Sequence, residues 1–393
     1  MKSKSIARIA GSLLLLTFSA SIIFAQEEMT AGQESTPTLS FRTNPLEGET
    51  LEQALAESAA GQTIPMWPYD VTGFYGRYRG AIVGRKYDTR SDDGSGVTKI
   101  PMYIVPLVVD FVAYLNGRKY VYWEFDPTTG SPLNVCTPNG SPLAIVQNSP
   151  LFQDAPNVWG GTDLGTTQYI DAQLRGEFWK RLQVVAEPWH NKFDVTTLPP
   201  QRLEVPYPYW GVSRSNNGKC VVGRIYYLWL DLKLRKMIAD LKNQGVGPTN
   251  VPLFLTYNVY AWAGGDLGGY HSAYGSPMQV YTMSAFDTSG FFGQASQDIT
   301  ILSHELGELV NDPSGMNYTP AWGRIGQVKG CQRNFEVGDP VTGKQNPVIT
   351  LNGFDYHPQE LAFFSWFFRS RNDGVNGWYS SNGTLRTLQA FCF

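Results

Sequence analysis

The stretch Ile301-Leu302-Ser303-His304-Glu305-Leu306-Gly307-Glu308-Leu309-Val310-Asn311-Asp312-Pro313 governs the reading of this 393-residue chain. Its spacing predicts a helix over Asp298–Asn311, stopped by Pro313, which cannot continue the hydrogen-bond ladder. At about 100° per residue, His304 and Glu308 project from one face with Glu305 beside them. Leu302, Leu306 and Leu309 turn to the other side and can be buried. H-E-x-x-E is the layout of the H-E-x-x-H zinc helix, with a carboxylate in place of the second imidazole. Zinc accepts carboxylate oxygen as well as imidazole nitrogen. His304 and Glu308 are therefore candidate Zn²⁺ ligands, and Glu305 the candidate general base for a water at the metal. The bland alternative is an exposed acidic helix face whose histidine bonds to a carboxylate.

Two further segments bear on the same chemistry. Phe335-Glu336-Val337-Gly338-Asp339 follows the helix. Glu336 is the candidate third metal ligand, and Asp339 could hold the ring nitrogen of His304. Gly269-Tyr270-His271-Ser272 lies in a Gly-rich stretch, Gly264–Gly275, read as a loop. His271 is the candidate donor to a developing oxyanion, or else a ligand. His190 and His357 lie in irregular stretches and are weaker candidates. Asp171 and Arg175 are spaced for ordinary helix-face pairing. No G-x-S-x-G, P-loop or dinucleotide fingerprint is present.

The run Ser303–Pro313, then Ala321-Trp322, then Glu336–Pro340 resembles a family of secreted bacterial proteins that carry HExxE and EVGD motifs. Gly269-Tyr270-His271, Thr167–Ala172 and Phe178-Trp179 resemble it too. The likeness spans about residues 100–390, and the plant exordium (phosphate-induced) proteins are similar more distantly. The H-E-x-x-E and E-x-x-D pair suggests a zincin-like metallopeptidase core; Glu308 departs from the usual second histidine. The function expected is a secreted zinc-dependent hydrolase acting on protein or peptide. The alternative is a non-catalytic extracellular or cell-envelope module on a zincin-like scaffold.

Outward from this centre, the fold class expected is α+β: a mixed sheet with flanking helices and irregular Pro/Gly-rich loops. Apolar runs predict strands at Val71–Val83, Ile100–Val112, Tyr120–Phe125, Val251–Trp262 and Met278–Phe286. Stripes of apolar residues predict helices at Gln168–Val185 and Tyr226–Asn243. Residues 126–166 and 187–218 read as irregular. Residues 1–25 read as a signal peptide: Lys2, Lys4 and Arg8, an apolar stretch to Phe24, then Ala25. Residues 26–62 read as a polar tether, with a short helix at Leu51–Ala60. Residues 63–393 form the α+β region, with subregions 63–166 and 167–393.

Export implies a secreted or periplasmic protein. The four cysteines, Cys136, Cys220, Cys331 and Cys392, then form two disulfides of unspecified pairing. Charged residues make up 17% of the chain, below the usual quarter or so, which excludes a highly charged disordered chain. The net charge of −3 supplies no attraction to nucleic acid. No stretch after the leader is long enough to span a membrane.

Overall fold

In the computed structural model, the strand Val97–Leu115 runs unbroken for 19 residues and organises the rest. The structure describes residues 38–129, 136, 140–185, 187–215, 220–388 and 392. The expected signal segment 1–25 and the start of the expected tether lie outside the described residues.

The strands, in chain order, are β1 (Ser40–Glu47), β2 (Met66–Gly73), β3 (Gly76–Val83), β4 (Val97–Leu115) and β5 (Arg118–Phe125). Then come β6 (Ala155–Trp159), β7 (Thr162–Thr167), β8 (His190–Thr197), β9 (Gln201–Pro206) and β10 (Trp210–Arg214). They are followed by β11 (Val221–Tyr226), β12 (Val251–Tyr257), β13 (Val259–Trp262), β14 (Asp266–Tyr274) and β15 (Gln279–Phe286). β16 (Tyr318–Ile325), β17 (Val328–Asn334), β18 (Ile349–Leu351) and β19 (Phe354–Tyr356) complete the set.

Eleven strands form one sheet. Its path is β10-β11-β13-β14-β15-β12-β4-β5, with β1 beside β14 and with β8 and β9 beside β4. β4 pairs in parallel with β12, β8 and β9 and antiparallel with β5. The apolar run from Ile104 to Val109 is buried in β4, as expected of a strand covered on both faces. One face of the sheet packs Leu253, Leu255 and Val280 against Leu302, Leu306 and Leu309 of helix Thr300–Asn311. The other packs Phe254, Tyr281 and Met283 against Leu230, Leu234 and Ile238 of helix Tyr227–Asp240.

This corrects the expected α+β, zincin-like core with flanking helices. The molecule is β-rich, 42% strand against 21% helix, around a large curled mixed sheet. Segments read as irregular supply the difference. Residues 187–218 contain β8, β9 and β10, and residues 126–166 contain β6, most of β7 and helix Pro142–Gln147. The expected strand Val251–Trp262 breaks at Asn258, whose φ of 51° resets the alternation. Val259 thereby joins the opposite core from Leu253 and Leu255.

The stretch 264–275 is mostly strand β14, not a loop. Its glycines serve packing: a Cβ on Gly269 would lie 2.7 Å from Glu305 Cγ and 2.8 Å from Met283 O. Only glycine lets the helix settle this close to the sheet. The described part of the expected tether is structured too. β1 pairs in parallel with β14, and helix Leu51–Ala59 carries a capping box from Thr50 and Gln53. Cys136 pairs with Cys220 and Cys331 with Cys392. Among the described residues no helix is long and apolar enough to cross a membrane.

Candidate metal centre

The helix Thr300–Asn311 is buried on every side, so the exposed-acidic-face alternative does not hold. Thr300 Oγ1 donates to Gln297 O and His357 O at its start. At its end the Asp312 carboxylate accepts from Met316 and Asn317 N–H, turning the chain at Pro313. Asn311 Nδ2 reaches Gln173 Oε1 and ties the helix to helix Tyr169–Glu177. The leucine face is therefore locked, and His304, Glu305 and Glu308 are held where β14 and the 335–341 segment meet.

Among the described residues, two groups of side chains could hold a metal ion: His271, Glu308 and Glu336, and His304, Glu308 and Asp339. In each, the offered atoms lie within 4.8 Å of one another. The three expected ligands His304, Glu308 and Glu336 thus fall into two overlapping sets, joined by Glu308. Glu308 Oε1 lies 3.0 Å from His304 Nε2, and Glu308 Oε2 lies 3.8 Å from His271 Nδ1. Asp339 Oδ1 is 3.7 Å from His304 Nε2, and Glu336 Oε2 is 4.0 Å from His271 Nε2. Asp339 thus lies beside His304 Nε2, among the groups that could hold an ion. Glu305 Oε2 is 3.4 Å from His271 Nδ1.

Orientation comes from a residue the sequence reading missed, Gln359. Its Nε2 donates to Gly338 O at 2.7 Å, which turns its Oε1 toward His304 Nδ1 at 3.0 Å. His304 then carries its proton on Nδ1, and the Nε2 lone pair faces the oxygens of Glu308 and Asp339. Gly338 must be glycine for this packing, because a Cβ there would lie 2.3 Å from His304 Nδ1. Its N–H donates to Glu308 Oε1 at 3.2 Å. Asp339 accepts from Gln327 and Gln332. The only sequence signal for Gln359 was its place after His357-Pro358, which carries no chemistry by itself.

The electrostatics are those of a cluster lacking positive charge. Burial pushes Glu305, Glu308 and Glu336 well above the usual carboxylate range, and repulsion from neighbouring carboxylates, Asp339 in every case, adds to it. Burial lifts Asp339 as well. Burial lowers His304 to about 4 and His271 to about 3. His271 Nε2, His304 Nε2, Glu305 Oε1 and both Glu336 oxygens are buried without a hydrogen bond of regular geometry. Buried polar atoms in that state are costly unless protons or a cation satisfy them. The donor set, two imidazoles and four carboxylates, fits a divalent cation.

The other histidines stand apart. His190 Nδ1 pairs with Asp171 Oδ2 at 2.7 Å, and Asp171 also accepts from Thr167 and from Asn191 N–H. Arg175 donates to Leu164 O and Trp189 O, so Asp171 and Arg175 are structural but not paired with each other. His357 Nδ1 pairs with Asp298 Oδ2 at 2.6 Å near the start of the site helix. No protein-family model, curated protein or solved structure matches the chain.

Proposed function

We propose that this chain is an exported hydrolase that uses one Zn²⁺ and cleaves peptide bonds. The observation that carries the proposal is the orientation of His304. Its Nε2 lone pair faces two carboxylate oxygens at 3.0 and 3.7 Å with no donor between them. Ligands about 2.0–2.1 Å from a tetrahedral zinc lie roughly 3.3 Å apart, so this spacing suits a shared cation. His304, Glu308 and Asp339 are the ligands under this reading, Asp339 taking the place first expected of Glu336. Mixed nitrogen and oxygen donors favour zinc over calcium or magnesium.

The cation would supply Lewis-acid polarisation and lower the cost of ionising the buried carboxylates. The remaining work belongs to the protein. Glu305, ionised under that field, takes a proton from water as the water oxygen bonds to the scissile carbonyl carbon. It returns the proton to the nitrogen as the C–N bond breaks. His271 stays neutral at physiological pH, donates a hydrogen bond toward the developing oxyanion and so contributes by position.

Metal analysis of protein purified without chelator tests the reading. Wild type should hold one zinc per chain, and Asp339→Asn or His304→Ala should lose it. Glu305→Gln should keep zinc and lose turnover by about a hundredfold or more. Wild type that takes up no added zinc would end the proposal.

A further inference from the structure

Every candidate ligand is buried, so a peptide substrate cannot reach Glu305 in the chain as it stands. The element over the site is β1. It adds in parallel to the edge of β14 from Leu267 to Tyr274, with Thr43 opposite His271. The Phe41 ring stacks on the His304 ring with centroids 3.4 Å apart and planes 12° apart. The Thr43 side chain meets Glu336. We infer that β1 is an internal occupant of a peptide-binding groove, and that the ligand of this groove is an extended peptide added as a strand to the β14 edge, with a large apolar side chain where Phe41 now stacks.

β1 pairs with β14 along most of its length and is otherwise held by a limited set of contacts. Between Thr38 and Gly48 the buried side chains are Leu39, Phe41 and Leu46. Leu39 and Phe41 belong to a small cluster with Tyr260, Phe291, Phe292 and Ile301, outside the two large cores. Off the sheet, the segment is tied by Phe41 N–H to Gln327 Oε1 at 2.8 Å and Leu46 N–H to Ser314 O at 2.7 Å. Asn44 also accepts from the Tyr227 hydroxyl, Glu47 pairs with Arg235 at 2.8 Å, the Arg42 guanidinium lies over the Tyr227 ring, and Leu46 reaches one of the large cores. Strand addition gives affinity through main-chain bonds and specificity through alternate side chains. Parallel pairing is slightly weaker per residue than antiparallel pairing. An extended peptide adding to the same edge would compete with β1 for these main-chain bonds.

This inference deepens the hydrolase reading and rests on it only in treating the displacing peptide as substrate. The test inserts a recognition sequence for a specific protease after Gly48 in the full chain and compares nicked with intact protein. The probe is a fluorescein-labelled synthetic peptide of residues 38–48, read by anisotropy, without turnover. Nicked protein should bind it about tenfold or more tighter, as expected if the intact chain frees the edge no more than a tenth of the time. The uncut double variant Phe41→Ala, Thr43→Val should also gain binding, which covers the case that the insertion misfolds. Equal binding by intact and nicked protein overturns the inference, as does retention of β1 after nicking without exchange against excess peptide. Nicked, zinc-loaded protein that captures the peptide and cleaves nothing keeps the groove and removes the hydrolase reading. Equal cleavage of peptides by intact and nicked protein does the reverse.

Discussion

Replacing Glu177 by glutamine should make the protein more stable at neutral pH and less stable in acid. Glu177 closes helix Tyr169–Glu177 and is 1% exposed. Its carboxylate accepts from Phe364 N–H at 2.5 Å and from Gln173 Nε2 at 2.9 Å. Gln173 in turn accepts from Asn311 on the site helix, so the group braces the metal centre from behind. Burial raises the Glu177 carboxyl from 4.5 to about 8. A raised folded-state value means the folded chain holds a proton that the unfolded chain releases. The stabilising contribution is full below pH 4.5 and is lost as pH rises toward 8. The loss between pH 4 and 7 is about 3 kcal/mol. Glutamine cannot ionise and still accepts from Phe364 N–H. Gln173 must turn to receive its amide, at a cost of about 1 kcal/mol. Glu177→Gln should then be destabilised by about 1 kcal/mol at pH 4 and stabilised by about 2 kcal/mol at pH 7. Urea unfolding with the disulfides intact, at pH steps from 4 to 8, reads the difference directly. Groups common to both proteins cancel in that difference. A difference that stays flat across the range would refute the burial argument.

Other perturbations probe the site and its frame. Chelation should lower the thermal midpoint more at pH 8 than at pH 5, by differential scanning calorimetry. Without a cation the folded chain holds Glu305, Glu308 and Glu336 protonated well above 4.5, while the unfolded chain releases those protons near that value, so the metal-free protein loses stability as pH rises. Gln359→Leu removes the acceptor that fixes His304 Nδ1–H and should weaken zinc affinity by about 10–100-fold, by competition with a chromophoric chelator. Gly338→Ala drives a methyl group into the His304 ring and should cost about 1–3 kcal/mol in urea unfolding. Leu306→Ala should cost about 2–5 kcal/mol in the same assay, since Leu306 is fully buried beneath the sheet. Thiol titration of the unfolded, unreduced protein should find almost no free thiol, because both cysteine pairs are bonded.

Helix Thr300–Asn311 was legible in the sequence, and so was the shared direction of His304 and Glu308, because the 3.6-residue period fixes both locally. The same holds for β4, whose apolar run is long enough to leave no competing period, and for the stop at Asp312-Pro313. The even cysteine count carried the disulfides, though not their pairing, which depends on distances between remote segments. What tertiary structure alone decided is which partners meet that helix. Glu336 and Asp339 are three residues apart, and nothing local says that one faces His271 and the other His304. Gly264–Gly275 looked like a loop because glycine usually marks turns; here it is strand because the helix crosses close above it. Residues 40–47 looked like tether because a short polar edge strand has too little apolar pattern to announce itself. β1 exists through main-chain bonds to β14 and the seat of Phe41 on His304. Local periodicity is written in the sequence of each element. The choice of neighbour is set by shape and burial summed over the whole chain, and only the folded molecule displays it.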